Sequence, residues 1–242
     1  MIEQTALVTG GSQGIGKAIA IDLAKNGYRV IVTARNSNLL SKVCDEILQT
    51  GGNADYISAD IGTEDGIKKI NDYIEKLSNI EVLVNNAAVI HKSTDLIDFN
   101  MADWERVIEV NLLGSVKVTK AVLPSMIKAS YGKIVNISSI GGRKGARGRS
   151  AYRVTKASLI SFTESLAAEV KEHGIDVNCI CPGSVITEGY IEAFGKESLS
   201  NPNMMEPIEI AKLCTFLVST DSTSITGAVI DAYGKSNPLF QS

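Results

Sequence analysis

The stretch Thr5-Ala6-Leu7-Val8-Thr9-Gly10-Gly11-Ser12-Gln13-Gly14-Ile15-Gly16 decides how this chain is read. Its first five residues are a short, β-leaning apolar run; glycines follow at once, and beyond them Ile19, Leu23 and Ala24 recur at helical spacing. A strand that turns through glycines into a helix is a phosphate-binding layout. Glycines let the backbone approach a pyrophosphate closely, and the free amides at the helix N-terminus hold the anion. The spacing is not the common G-x-G-x-x-G, so the bare pattern could be a tight turn; its place after the first strand favours the nucleotide reading.

Outward from that turn the pattern alternates. Arg29–Ala34 reads as a second strand, residues 38–50 as a helix, residues 54–59 as a third strand closing on Asp60-Ile61, residues 63–77 as a helix and residues 80–84 as a fourth strand. Such β-α-β-α alternation is what a doubly wound parallel sheet requires. At the end of the second strand stands Arg35, with no carboxylate beside it. An acidic residue there suits the ribose 2′-hydroxyl of NAD and a basic one the 2′-phosphate of NADP, so NADP(H) is preferred and NAD(H) possible. The alternative is a surface Arg that opens the next helix, and the neutral Gln13 supplies no second cation. Asn85-Asn86-Ala87-Ala88 ends the fourth strand with small residues, which suit either a cofactor lying against the backbone or a structural turn.

Residues 104–129 read as one long helix in whose apolar pattern Asn111 is the exception, either a structural tie or part of a site. Gly132–Ile137 is a fifth strand ending in Ser138-Ser139, hydroxyls at the end of a strand that faces the ligand crevice of such sheets. In Ser150-Ala151-Tyr152-Arg153-Val154-Thr155-Lys156 a helix puts Tyr152 and Lys156 one turn apart on a single face. A cation fixed near a phenol favours the phenolate and brings the group toward acid–base chemistry at neutral pH. By itself the pair also fits a half-buried Tyr beside a solvated Lys.

Composition excludes several classes. The 242 residues are 44% hydrophobic and 21% charged with a net charge of −3, enough for one large α/β domain and without a long basic run, which argues against nucleic acid as a partner. No apolar stretch approaches a membrane span, and the N-terminus carries no basic, cleavable segment; a cytoplasmic protein is expected. Cys44, Cys179, Cys181 and Cys214 lack metal-site spacing and the only histidines are His91 and His173, so reduced core thiols and no metal are expected.

Taken in order, these pieces resemble the classical short-chain dehydrogenases/reductases, most like the 3-oxoacyl-acyl-carrier-protein reductases, from Thr5 to about Asp231. The family's TGxxxGxG is Thr9-Gly10 through Gly14 and Gly16, and its NNAG appears as Asn85-Asn86-Ala87-Ala88. Its helix Asn is Asn111, its Ser is Ser139, thirteen residues before Tyr152, and its YxxxK runs from Tyr152 to Lys156. Pro182-Gly183 followed by Thr187 matches the segment that borders the nicotinamide. The resemblance implies one Rossmann-type domain over residues 1–242, with a seven-stranded parallel sheet in the order 3-2-1-4-5-6-7 and helices on both faces. It implies reduction of a carbonyl by hydride transfer, with Tyr152 as proton donor, Ser139 bonding the carbonyl oxygen, Lys156 lowering the Tyr152 pKa and holding the ribose, and Asn111 holding a relay water. The glycine turn (Gly10, Ser12, Gln13, Gly14, Ile15, Gly16) and Arg35 would take the phosphates. Asp60 and Ile61 would take the adenine, Asn86, Ala87 and Ala88 would line the cofactor, and Pro182, Gly183, Val185 and Thr187 would border the carboxamide.

The chain departs from the family at Ala88, which stands where Gly is usual. The substrate lid, residues 188–206, looks short, and residues 236–242 form a possible tail after Ile230-Asp231-Ala232-Tyr233-Gly234-Lys235. Between Ser139 and Tyr152 four cations lie on a glycine-rich loop: Arg143, Lys144, Arg147 and Arg149. They are a solvated loop, or else Arg143 and Arg149 engage an anionic substrate such as a carrier-linked acyl chain. Elsewhere residues 175–180 read as the sixth strand, Pro207 opens the last helix and residues 228–230 are the seventh strand. The family resemblance implies a homodimer or homotetramer. A dehydrogenase of a sugar, steroid or small alcohol, and a catalytically idle nucleotide-binding protein, are the alternatives.

Overall fold

The computed structural model describes residues 4–77, 79–200 and 202–236. Seven parallel strands lie in the order β3-β2-β1-β4-β5-β6-β7: β1 Thr5–Thr9, β2 Arg29–Ala34, β3 Asn53–Ser58, β4 Val82–Asn85, β5 Gly132–Ile137, β6 Ile175–Pro182 and β7 Val229–Ala232. The helices are α1 Gly14–Lys25, α2 Ser37–Gln49, α3 Glu64–Ile74, α4 Met101–Ile108, α5 Ser115–Ala129, α6 Ser150–Val170, α7 Glu188–Phe194 and α8 Pro207–Val218.

Neighbouring residues on the central strands serve opposite cores, because side chains alternate across a pleat. Ala6, Val8, Val30, Val32, Val82 and Val84 pack on one face with Ile19 and Leu23 of α1 and Ile210 and Leu217 of α8. Leu7, Ile31 and Leu83 pack on the other with Ile70 of α3, Val118 and Val122 of α5 and Leu166 of α6. Strands covered on both faces must be apolar at every position, which is why β1 reads as a continuous run. The chain winds outward from β1 to β3 and then returns to β4 on the other side, so the crevice opens where β1 and β4 lie side by side.

Local chemistry sets the helix starts. The Asn36 and Thr63 side chains accept from the amides of Leu39 and Gly66, at 3.1 and 3.0 Å. Pro207 stands in the first turn of α8, where the Glu209 carboxylate accepts from the Glu206 amide at 2.7 Å.

The expected single helix over 104–129 is instead two, joined by a π-helical turn over Glu109–Gly114. Gly114 presses against Ile61, whose carbonyl oxygen would lie 2.8 Å from a Cβ there, and the Asn111 side chain is drawn sideways into bonds with Val89 and Thr155. Such turns insert one extra residue per turn and re-aim side chains. β6 runs two residues beyond expectation because β7 pairs with it as far as Pro182↔Ala232. Residues 237–242 of the expected tail lie outside the described residues.

Among the described residues no helix is long and apolar enough to cross a membrane, and no group of three or more His, Cys, Asp or Glu is placed to hold a metal. The four cysteines are free and buried.

Candidate active site

A cleft of about 650 Å³ runs along the carboxyl ends of the strands. At one end is the glycine turn. Gly10 has φ +65°, and a Cβ on it would stand 2.7 Å from the Ala87 Cα, so a side chain is excluded there. Asn86 braces the turn: its Nδ2 donates to the carbonyls of Thr9 and Gly10 at 3.0 and 3.1 Å, and its amide donates to the Thr9 hydroxyl at 3.0 Å. Gln13 occupies the N-cap of α1 without capping it through its side chain, and no acidic residue stands in the first turn. The N-terminal amides therefore keep their affinity for an anion, and the residues present fit a dinucleotide's diphosphate. Gly10, Ser12, Gln13, Gly14 and Ile15 line the cleft, whereas Gly16 lies buried beneath them, where a Cβ would come within 2.2 Å of the Gly10 carbonyl.

At its far end the cleft is lined by Arg35, exposed at the tip of β2, and by Asp60 and Ile61 after β3. Asp60 accepts from the Gly62 amide at 2.9 Å and pairs with Arg106 of α4. Burial pushes its pKa up, but the Arg106 bond, the Gly62 amide and the more distant Arg35 together hold it below the usual carboxylate value. Arg106 lines the cleft too and was invisible in the sequence pattern, since only the fold brings it across to Asp60.

At the other end stand Ser139, Tyr152 and Lys156. The Ser139 Oγ accepts from the Gly141 amide at 3.0 Å, which fixes the oxygen, and its O–H is directed to the Tyr152 phenol. Lys156 is buried; its Nζ donates to the Ile137 carbonyl at 2.8 Å and lies 5.6 Å from the centre of the Tyr152 ring. Burial lowers its pKa to about 8. Burial also raises the Tyr152 pKa, opposed by a bond from Ser139 and by the charges of Arg149 and Arg153. Arg149 and Arg153 thus act on the phenol in addition to the expected Lys156, which stands beside its ring.

Asn111 lies outside the cleft lining and ties three elements together. Its Oδ1 accepts from the Val89 amide at 2.7 Å, while its Nδ2 donates to the Val89 carbonyl at 3.0 Å and to the Thr155 hydroxyl at 3.2 Å. Both amide hydrogens are thereby taken, which locks the exit of β4 to α6.

His91 plays a part that sequence spacing could not show. The N-cap of α6, Arg149, makes no side-chain cap of its own. His91 Nδ1 lies 2.7 Å from the Lys92 carbonyl and so carries the proton, leaving Nε2 to accept from the Tyr152 amide at 3.4 Å. The imidazole thus caps α6 from another loop, with its ring edge-on to Phe99 at 4.7 Å.

The cationic loop separates into two kinds of residue. Arg143 bonds Asp231 at 3.0 Å, away from the cleft, and Arg147 pairs with Asp95 at 2.5 Å. Arg149 lines the cleft, with its guanidinium 4.1 Å from the centre of the Phe194 ring and a bond to the His91 carbonyl; Arg153, bonded to the Lys144 carbonyl, lines it too. Pro182, Gly183, Val185 and Thr187 complete the wall with Ala87 and Ala88, and Val185 is bridged to Met205.

Fold and constellation together define a dinucleotide-binding oxidoreductase scaffold. The short chain dehydrogenase family model matches residues 4–197, and the chain belongs to that family of oxidoreductases. It is 36% identical over 238 residues to the 3-oxoacyl-[acyl-carrier-protein] reductase of Synechocystis sp., covering 96% of each chain. The structure resembles that of a candidate NAD(P) dependent gluconate 5-dehydrogenase from Beutenbergia cavernae with NADP bound at low occupancy, at TM-score 0.90, 28% identity and 96% coverage of both chains. It also resembles the 3-ketoacyl-(acyl-carrier-protein) reductase of Brucella melitensis complexed with NADH, at TM-score 0.88 and 27% identity, over 98% of this chain and 100% of that one.

Proposed function

We propose that the cleft binds NADPH and reduces the carbonyl of a 3-oxoacyl thioester or a related ketone to a secondary alcohol. The observation that carries the reading is the Ser139 hydroxyl, whose oxygen is fixed by the Gly141 amide and which opens on the same cleft as Tyr152, Lys156 and the uncapped glycine turn. The bound dinucleotide supplies a hydride at its nicotinamide C4; the protein does the rest. The α1 amides hold the diphosphate and Arg35 takes the 2′-phosphate, with Asp60 and Ile61 against the adenine. Pro182, Gly183, Val185 and Thr187 border the carboxamide.

Ser139 donates to the carbonyl oxygen and so stabilises negative charge as it develops there, and Tyr152 delivers the proton. The raised pKa of Tyr152 suits this direction, because the phenol stays protonated at neutral pH. Lys156 exchanges its bond to Ile137 for the ribose hydroxyls. Asn111 serves the reaction by holding Val89 and Thr155 in place, and a relay water would have to use its remaining lone pairs. The segment 188–206 acts as a short lid. Val154 and Leu113, exposed on α6 and the π turn, support assembly as a homodimer or homotetramer.

The likeness to the gluconate 5-dehydrogenase structure favours a second reading, oxidation of a sugar-acid hydroxyl by the same residues run in reverse. A panel of acyl thioesters, keto sugars and cyclic ketones, followed by NADPH absorbance with wild type and Tyr152→Phe, separates the two. NADPH binding without turnover of any member would refute both.

A further inference from the structure

We propose that Arg149 and Arg153 select ketones carrying an anionic oxygen group, a carboxylate or a phosphate, close to the reacting carbonyl; this rests on the reductase reading above. Of the arginines around the loop, Arg143 and Arg147 are neutralised by Asp231 and Asp95. At the opposite end of the cleft, Arg106 is neutralised by Asp60. Arg149 and Arg153 are different. Among the described residues each gives one bond to a backbone carbonyl, and neither has a carboxylate within ion-pair distance, although Glu188 and Glu192 line the same cleft from α7.

A guanidinium has five N–H donors in a planar fork, so each keeps donors free for a partner with two oxygens. Their position is what restricts the partner. Arg149 stands three residues before Tyr152 and Arg153 one after it, and both charges act on the phenol. Arg149 is clamped between the Phe194 ring and the His91 carbonyl, which limits its freedom before any ligand arrives. Two unneutralised cations that both act on the phenol draw an incoming anion to the part of the cleft where the carbonyl meets its proton donor. The charge to be recognised therefore lies near the carbonyl and is distinct from a remote phosphate on a carrier arm.

The test compares acetoacetate, dihydroxyacetone phosphate and uncharged methyl acetoacetate as substrates with NADPH, for wild type, Arg149→Gln and Arg153→Gln. Wild type should favour one of the two anions over the ester by at least about tenfold in kcat/KM, mainly through KM, since each charge-assisted pair is worth roughly 10- to 100-fold. In Arg149→Gln that ratio should collapse to within about threefold of unity; which anion wins tells carboxylate from phosphate. Equal wild-type rates on anion and ester would overturn the proposal, as would a variant that loses both in the same proportion, because the arginines would then serve only the phenol. If no ketone is reduced, the reductase reading fails and calorimetry on the same three compounds decides. Anion binding that vanishes in Arg149→Gln upholds the arginine site, and no anion binding overturns it.

Discussion

Replacing His91 by Phe tests how Tyr152, the proposed proton donor, is positioned. The substitution keeps an aromatic ring against Phe99 but removes the acceptor that Nε2 offers to the Tyr152 amide. α6 has no cap from its own N-cap residue, so that amide is left without a partner in the first turn. A lost helix cap costs about 1 kcal/mol, which for a chain of this size lowers Tm by roughly 2–4 °C. Tyr152 sits in that first turn, so fraying there displaces the phenol from Ser139, and a fall in kcat of roughly 5- to 10-fold is expected from misplacement alone. The glycine turn is untouched, so KM for NADPH should hold. Calorimetric melting with steady-state kinetics reads both effects. His91→Gln, whose Oε1 can accept the same bond, should recover part of the loss. A Phe variant with unchanged Tm and kcat would refute the capping role, and a Gln variant as impaired as Phe would show that ring packing, not the acceptor, is what matters.

Two further outcomes follow from the charges. Arg35→Asp should weaken NADPH binding by roughly 10- to 100-fold, the value of a charge-assisted contact, and NADH binding by far less; titration by cofactor fluorescence showing equal losses would remove Arg35 as the 2′-phosphate partner. Burial holds the Lys156 pKa at about 8, below the ordinary lysine value, so the ammonium is present below that pH and lost above it. kcat/KM for NADPH should therefore fall as pH rises through about 8, and a flat profile to pH 9.5 would contradict this assignment.

The sheet was legible in the sequence because strands buried on both faces must be apolar throughout, and β1 and β5 lie where their patterns place them. The glycine turn, Ser139, Tyr152 and Lys156 share one cleft because each is tied to the end of an element that the pattern marks. What the pattern could not carry is side-chain pairing between distant segments. Arg143 and Arg147 look alike on a glycine-rich loop, yet their partners are 88 and 52 residues away. Arg106 and His91 were missed for the same reason. The π turn escaped notice because one extra residue in a helix leaves apolar periodicity almost unchanged, and Asn111 signalled it only as a polar intrusion.

Transfer of deuterium from 4-deuterated NADPH to the carbonyl carbon of a ketone is the most direct test of the account. Wild-type protein should place the label on that carbon of the product alcohol, and Tyr152→Phe should slow the transfer by at least about 10²-fold while still binding NADPH. Label that never reaches any ketone, or a Tyr152→Phe variant that transfers it at the wild-type rate, would contradict it.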